Sequence, residues 1–129
     1  PGSRPVQIAK ASGIEGPSVS PKGDVVLFAE QSTGGSTLAW VSLAGGTITT
    51  LHVIGTNPLD PSFSPTGNSI AYMAADGLYV ANATGTQAQR LSTDATLATP
   101  HWNPVQPQLV VTAPRGTGTD LALIALPAR

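Results

Sequence analysis

Short apolar runs separated by turn residues extend along the whole chain. A block rich in Ser, Pro and Gly precedes each of three strand-length apolar runs, at residues 25–29, 69–73 and 108–112. After a turn, a second run follows each of these and begins at Leu38, Leu78 and Leu121. Runs of about 4 to 8 residues between such turns are typical of antiparallel strands, and the dipeptide Asp76-Gly77 predicts a tight hairpin. The pattern therefore predicts an all-β fold.

One motif occurs three times along the sequence. Its copies are Gly16-Pro17-Ser18-Val19-Ser20-Pro21-Lys22-Gly23, Asp60-Pro61-Ser62-Phe63-Ser64-Pro65-Thr66-Gly67 and, more loosely, Thr99-Pro100-His101-Trp102-Asn103-Pro104-Val105-Gln106. The first prolines of the copies lie 44 and then 39 residues apart. Each unit holds four short strands in about 40 residues, which is the period and strand count of a β-propeller blade.

The repeats divide the chain into four segments. These are a tag remnant (Pro1 to Arg4) and a strand at 6–9 within residues 1–12, a first blade at 13–54, a second at 55–97, and a third at 98–129 without an outer strand. Because repeats of this kind gain their core by stacking, the equivalent apolar positions are expected to pack between blades. Those positions are Val19, Phe63 and Trp102, then Val26, Ile70 and Leu109, then Phe28, Tyr72 and Val111.

The repeated block resembles that of TolB-like β-propellers, over essentially the whole chain. The most specific part is Pro61-Ser62-Phe63-Ser64-Pro65-Thr66-Gly67-Asn68-Ser69-Ile70-Ala71-Tyr72, together with Arg90-Leu91-Ser92. The family usually has Asp between the second Pro and the Gly, where this chain has Lys22, Thr66 and Val105. The resemblance implies an extracytoplasmic bacterial protein, periplasmic or at the cell surface, that binds a protein or peptide partner.

Three blades are fewer than the roughly four to eight that close a propeller. The strand at 6–9 aligns with the outermost strands of the other units and supplies what the third blade lacks. The favoured arrangement is a head-to-tail homodimer, a six-bladed ring in which each chain's first strand completes the last blade of the other. Two alternatives remain open: a fragment of a longer propeller, and a two-sheet sandwich that leaves the repeat unexplained.

Composition and charge exclude several classes of protein. The 129 residues include 14 Gly and 12 Pro, which disfavour helices, and the net charge of −1 lacks the basic excess of a nucleic-acid binder. The absence of Cys excludes disulfides and thiolate metal sites, and no apolar run is long enough to span a membrane. We therefore expect no cofactor, no metal and no direct membrane insertion.

Candidate site residues lie on loops that should share one face of the fold. The connections at 55–60 and 93–97 and the hairpin loops at 31–37 and 114–119 form that face, where binding residues usually concentrate. No catalytic constellation stands out, since the carboxylates are scattered over turns. The residues predicted to bind a partner are Asn57, Asp60, Asp94, His101, Trp102 and Arg115.

These observations predict a non-enzymatic binding or scaffold module that mediates protein–protein interaction. The alternative is an accessory propeller domain of a larger peptidase-like enzyme or sensor protein, because similar propellers cover the active site of prolyl-oligopeptidase-like peptidases. Both rest on the resemblance in fold. A third possibility is a propeller fragment without any ligand.

Overall fold

The computed structural model describes residues 4–127, and β-strands are the regular secondary structure in that range. Alternation of apolar and polar residues between Gly and Pro turns produces them. The strands are β1 (Ile14–Val19), β2 (Val25–Ser32), β3 (Gly35–Ser42), β4 (Thr49–Leu51), β5 (Leu59–Phe63), β6 (Ser69–Ala74), β7 (Gly77–Asn82), β8 (Gln89–Ser92), β9 (Ala98–Trp102), β10 (Gln108–Arg115) and β11 (Gly118–Ala125).

The strands form three antiparallel sheets, each built from consecutive strands. Sheet 1 contains β1 to β4, sheet 2 contains β5 to β8, and sheet 3 contains β9 to β11. The all-β prediction with three sheets of this kind is confirmed. Sheet 3 has three strands, so the outer edge of β11 is unpaired in the part of the chain that the structure describes.

Two layers of the core lie one on each side of sheet 2, and a third buried apolar cluster lies on the other side of sheet 1. Ile70 and Tyr72 face sheet 1 and pack with Leu27 and Leu38. The alternate residues of β6 and β7 face sheet 3, where they pack with Leu109 and other residues of β10. Because both sides of sheet 2 are covered, its two central strands are apolar almost throughout.

The predicted packing positions point towards the preceding sheet in every unit. Phe63 belongs to the layer between sheets 1 and 2, and Trp102 to the layer between sheets 2 and 3. Their equivalent in sheet 1, Val19, is 55% exposed because no sheet precedes it in the described chain. Val26 and Phe28 lie on the same side of sheet 1, which we call its free side.

The first strand of each sheet (β1, β5 and β9), which we call the inner strand, contains a β-bulge at the residue before the repeated proline. Gly16, Asp60 and Thr99 have φ angles of 62°, 54° and 47°, and the pairing register shifts at each of these points. The extra residue of a bulge is left out of the ladder, so its N–H is free for another partner. These bulges were not predicted from the sequence.

The hairpins are tighter than predicted. The loops expected at 31–37 and 114–119 are mostly strand, because β2 pairs with β3 as far as Ser32 and Gly35, and β10 with β11 as far as Arg115 and Gly118. The middle hairpin is confirmed, but its turn is Ala75-Asp76 rather than Asp76-Gly77. A Gly-rich polar segment extends a ladder when its backbone can still pair with the neighbouring strand. Amino-acid composition does not show whether that pairing is possible.

The N-terminal segment lies outside the strands. Pro1–Ser3, most of the predicted tag remnant, fall outside the described residues, and residues 4–13 form no strand. Within this segment Ile8 and Ala9 pack on the free side of sheet 1. The outer strand predicted at 6–9 finds no strand to pair with in a single chain, so its pairing with a second chain stays a prediction. No helix in residues 4–127 is long and apolar enough to cross a membrane.

Candidate functional site

A cavity of about 420 Å³ opens at the end of sheet 2 where β6 turns into β7. The connections between successive sheets form its walls. The lining residues are Asn57, Leu59, Asp60, Met73, Ala74, Ala75, Ala95, Thr96, Leu97 and Ala98. Two predicted site residues, Asn57 and Asp60, therefore lie in one cavity, and a third, Asp94, adjoins its wall in sequence.

Asn57 ties the connection between sheets 1 and 2 to the hairpin of β2 and β3. Its Oδ1 accepts a hydrogen bond from the Ser36 N–H at 3.2 Å, and the Ser36 hydroxyl donates to the Pro58 carbonyl at 2.8 Å. The Asn57 amide occupies the space that a side chain at Gly35 would need. Asn57 therefore lines the cavity and also fixes the position of the connection that forms its wall.

Asp60 connects all three sheets through hydrogen bonds. Its N–H donates to Oε1 of Glu15 in sheet 1, and its Oδ2 accepts from the Thr99 N–H in sheet 3, both at 3.2 Å. The bulges make these bonds possible, because they turn the N–H groups of Asp60 and Thr99 out of their own ladders. Glu15 thus belongs to the site, although the sequence analysis did not select it.

The carboxyl group of Glu15 lies beside the side chain of Asp60 and holds its proton more tightly than an ordinary glutamate does. The hydrogen bond to the Asp60 side chain, with burial, raises the pKa of Glu15 to about 7 from an ordinary value of 4.5. Below a pH of about 7 the Glu15 carboxyl therefore keeps its proton. Loss of that proton places two negative charges side by side.

We expect the stability of the chain to fall as the pH rises towards and through about 7. A carboxyl whose pKa is raised by folding contributes stability fully below its unfolded value and loses it as the pH passes its folded value. In Glu15→Gln the neutral amide keeps a hydrogen-bonding group, so stability should change less between pH 5 and pH 8. Urea unfolding at several pH values measures this, with Glu30→Gln as the matched carboxyl control; equal slopes in Glu15→Gln and wild type would contradict it.

The other four predicted site residues lie in four separate places. Asp94 accepts hydrogen bonds from the N–H and hydroxyl of Thr96, and the hydroxyl contact holds its pKa below the ordinary value. Trp102 lies between sheets 2 and 3 and donates its Nε1–H to the Ser62 carbonyl at 2.9 Å. Trp102 is therefore placed to hold two sheets together.

His101 and Arg115 are also on sheet 3, on its outer side and at its last hairpin. His101 is exposed and stands opposite Val110 in the ladder, on the side of sheet 3 that no other sheet covers. Arg115 is at the tip of the last hairpin, where its guanidinium lies 3.5 Å from the Asp120 carboxylate and both side chains are largely exposed. The structure thus brings Asn57 and Asp60 together, with Asp94 beside them, and does not bring His101 or Arg115 to the cavity lining.

A second cavity, of about 500 Å³, opens at the opposite end of the strands between sheets 1 and 2. Its lining includes the apolar side chains of Leu27, Trp40 and Phe63 and, from the turn between β1 and β2, Lys22 and Asp24. The Ser20 hydroxyl donates to Asp24 Oδ1 at 2.6 Å and lowers the pKa of that carboxyl. Nothing in the sequence pattern indicates this cavity, because its walls come from four strands and three turns.

Among residues 4–127 no group of three or more His, Asp or Glu side chains could hold a metal ion. The one close carboxyl pair, Glu15 and Asp60, has backbone N–H groups as hydrogen-bond partners. Its geometry suits the joining of sheets.

Solved structures with the same arrangement of sheets include proteins of different kinds. A protein described as TolB from Agrobacterium tumefaciens matches with a TM-score of 0.80 and 17% identity, over 92% of this chain and 48% of that one. A chain of a nidogen and laminin complex matches with a TM-score of 0.72 and 22% identity, over 85% and 43%. The β-propeller domain of the trilobed protease from Pyrococcus furiosus matches at 0.64 and 18%, over 88% and 39%.

The fold is that of a β-propeller. The predicted resemblance to TolB-like propellers is confirmed at the level of the fold, and further matches include enzymes. The chain spans about half the length of the TolB protein from Agrobacterium tumefaciens. No protein-family model and no curated protein sequence matches it.

Proposed function

We propose that this chain is a non-enzymatic β-propeller module that binds a protein or peptide partner and completes its ring with a second copy of itself. The observation that carries this proposal is the surface left uncovered at the end of the array. On β11 the side chains of Leu121 and Leu123 are 76% and 66% exposed, and the edge of that strand is unpaired among the described residues. Exposed apolar surface on an open sheet edge is typical of a surface that binds another chain.

The proposed site for the protein or peptide partner is the loop face around the 420 Å³ cavity. Its walls are held by Asn57 and by the Glu15 and Asp60 pair, so the cavity is formed before a partner arrives. Leu59, Met73 and Leu97 provide apolar lining, and Asp94 provides a carboxylate outside it. A rigid apolar cavity with few polar groups suits an apolar side chain of a peptide.

The homodimer part of the proposal is a head-to-tail contact. Sheet 3 of one copy would lie against the free side of sheet 1 of the other, so the contact joins two different surfaces and closes only if the rotation fits. Two chains with three sheets each would give a ring of six sheets. Light scattering should then report twice the chain mass of 13.0 kDa.

Partner binding can be tested with peptides selected from a random library on the immobilised wild-type chain. We expect the selected peptides to bind at least about tenfold more weakly to Leu97→Asp, which places a charge in the cavity wall. Val105→Asp is the control, because Val105 is 82% exposed in the turn between β9 and β10, away from the cavity. Equal affinity for the wild type and Leu97→Asp, measured by calorimetry, would place the binding site elsewhere.

An accessory propeller domain of a larger peptidase-like enzyme or sensor protein is the second candidate. The match to the propeller domain of a protease favours it. An extracytoplasmic bacterial location is part of the main proposal and is supported by the likeness to TolB-like propellers. An adjoining hydrolase domain in the parent gene would favour the second candidate over the first.

A further inference from the structure

The N-terminal segment lies on the free side of sheet 1 in a defined position. Ile8 and Ala9 pack against the apolar side chains of β2 and β3. The carbonyl oxygen of Ile8 lies beside Gly45, where a Cβ would be 3.4 Å from it. The segment therefore follows the surface of the sheet although it forms no strand.

The same contact recurs between sheets 1 and 2. Gly85 is the counterpart of Gly45, since both follow the third strand of their sheet and donate an N–H back to it, to Asn82 and Ser42 respectively. A Cβ at Gly85 would meet the carbonyl oxygen of His52, at 2.7 Å. Ile8 lies nine residues before Pro17, and His52 lies nine before Pro61. Residues 6–9 thus lie against sheet 1 as β4 and the residues after it lie against sheet 2.

The segment at 6–9 lacks a neighbour that β4 has. β4 pairs with β3, whereas residues 6–9 pair with no strand of the described chain. The strand equivalent to β3 that has no outer neighbour is β11. The geometry points to a preformed socket, made of residues 6–9 and the free side of sheet 1, that receives sheet 3 of a second copy of this chain. This inference rests on the ring closure proposed above and names the segments that make it.

The exposed side of sheet 3 has the residues that this docking requires. Leu38, Leu78 and Leu121 occupy equivalent places, as the pairing of each third strand with its second strand shows. Leu38 and Leu78 are fully buried against the following sheet, whereas Leu121 is 76% exposed. In the socket Leu121 would lie on the side of sheet 1 that carries Val26 and Phe28, as Leu38 lies on the side of sheet 2 that carries Ile70 and Tyr72. Val26 and Phe28 are already 9% and 2% exposed in the single chain, so the apolar surface open to Leu121 on that side includes Val19, which is 55% exposed.

The register of the contact follows from the register within sheet 1. Leu51, ten residues before Pro61, stands opposite Leu38. The residue ten before Pro17 is Gln7, and the equivalent of Leu38 is Leu121. Gln7 of one copy is therefore expected opposite Leu121 of the other, or opposite Ala122 if the contact follows the pairing of Arg90 with Tyr79.

Cysteine crosslinking tests the socket, because the chain has no Cys of its own. In Gln7→Cys/Leu121→Cys the two thiols of one chain lie on opposite sides of sheet 2, so a disulfide must join two copies. We expect air oxidation to convert most of this variant, or of Gln7→Cys/Ala122→Cys, into linked chains on a non-reducing gel. The matched control Gln7→Cys/Arg115→Cys should stay unlinked, because Arg115 pairs with Gly118 at the tip of the hairpin, three residues or about 10 Å along the ladder from Leu121, which is beyond the reach of a disulfide.

Light scattering of the wild-type chain separates failure of the socket from failure of ring closure. Twice the chain mass with crosslinking supports both, and twice the mass without a link at either position overturns the socket alone. Higher multiples with crosslinking support the socket and overturn the closed ring. A single-chain mass without crosslinking at any concentration tested overturns both, provided that the circular dichroism spectra of the variants match that of the wild type.

Discussion

Replacement of Tyr72 by alanine is expected to lower the free energy of unfolding by about 3 to 5 kcal/mol, the range found when a buried aromatic side chain is truncated. Tyr72 is fully buried in the layer between sheets 1 and 2. Its ring stacks on Tyr79 with centroids 5.4 Å apart. The variant leaves a cavity in the layer where sheet 2 packs on sheet 1, so both sheets lose support.

The hydroxyl of Tyr72 adds a polar link to this apolar contact. It donates to the Ile54 carbonyl at 2.7 Å, in the connection that leads from sheet 1 to sheet 2. Burial raises the pKa of Tyr72, so the hydroxyl keeps its proton and stays a donor at pH values where an exposed tyrosine would ionise. The aromatic ring and its hydroxyl therefore stabilise the same junction by different means.

Urea unfolding of Tyr72→Ala and Tyr72→Phe separates the two contributions. Tyr72→Phe keeps the stacked ring and removes the hydrogen bond, so we expect a loss of about 1 kcal/mol. Losses of similar size in the two variants would show that the ring adds little and would contradict the packing described here.

Strand positions and sheet order could be predicted from the sequence because they depend on local alternation repeated three times. Every apolar run of the repeat except the one at 6–9 lies in a strand of the structure, and positions such as Ile70 and Leu109 pack towards the preceding sheet as expected. Each copy of the repeat provides independent evidence for the same four-strand unit. An error in interpreting one copy therefore does not change the predicted fold.

The candidate site could be predicted only in part. Asn57 and Asp60 were selected because they lie in connections, and both line the cavity. Glu15 was not selected, because its partner Asp60 lies 45 residues away and the contact depends on a bulge with positive φ at a residue other than glycine. His101 and Trp102 lie in an inner strand, and a strand position alone does not show which side of the sheet a residue faces.

The order of the strands in each sheet was also easier to predict than the residues at which the pairing of two strands ends. Hairpins that looked like long loops are two-residue turns, since Gly and Ser residues can extend a ladder as well as end it. At one such end, the start of β7, the backbone leaves room for glycine alone. That position provides a second large expected effect.

Gly77→Ala is expected to destabilise the chain by about 3 kcal/mol or more. Gly77 has a φ of 136°, a conformation that costs other residues about 1 to 3 kcal/mol. A Cβ at this position would also collide with the carbonyl oxygen of Ser92, which belongs to the neighbouring strand β8. Since Ser92 pairs with Leu78 in the ladder, relief of the collision requires β8 to move away from β7.

Two other glycines separate the effect of backbone conformation from the effect of space. Gly46 has a φ of 124°, whereas the φ angle of Gly34 is not positive. A Cβ at either position meets no atom within 4 Å. Urea unfolding should therefore give a loss of about 1 to 3 kcal/mol for Gly46→Ala and less than about 0.5 kcal/mol for Gly34→Ala. If Gly77→Ala costs no more than Gly46→Ala, the close approach of β8 is not what requires glycine there. Faster hydrogen exchange at the β7 and β8 amides in Gly77→Ala alone would locate the damage at that pairing, because the outer strand would then open without unfolding of the other sheets.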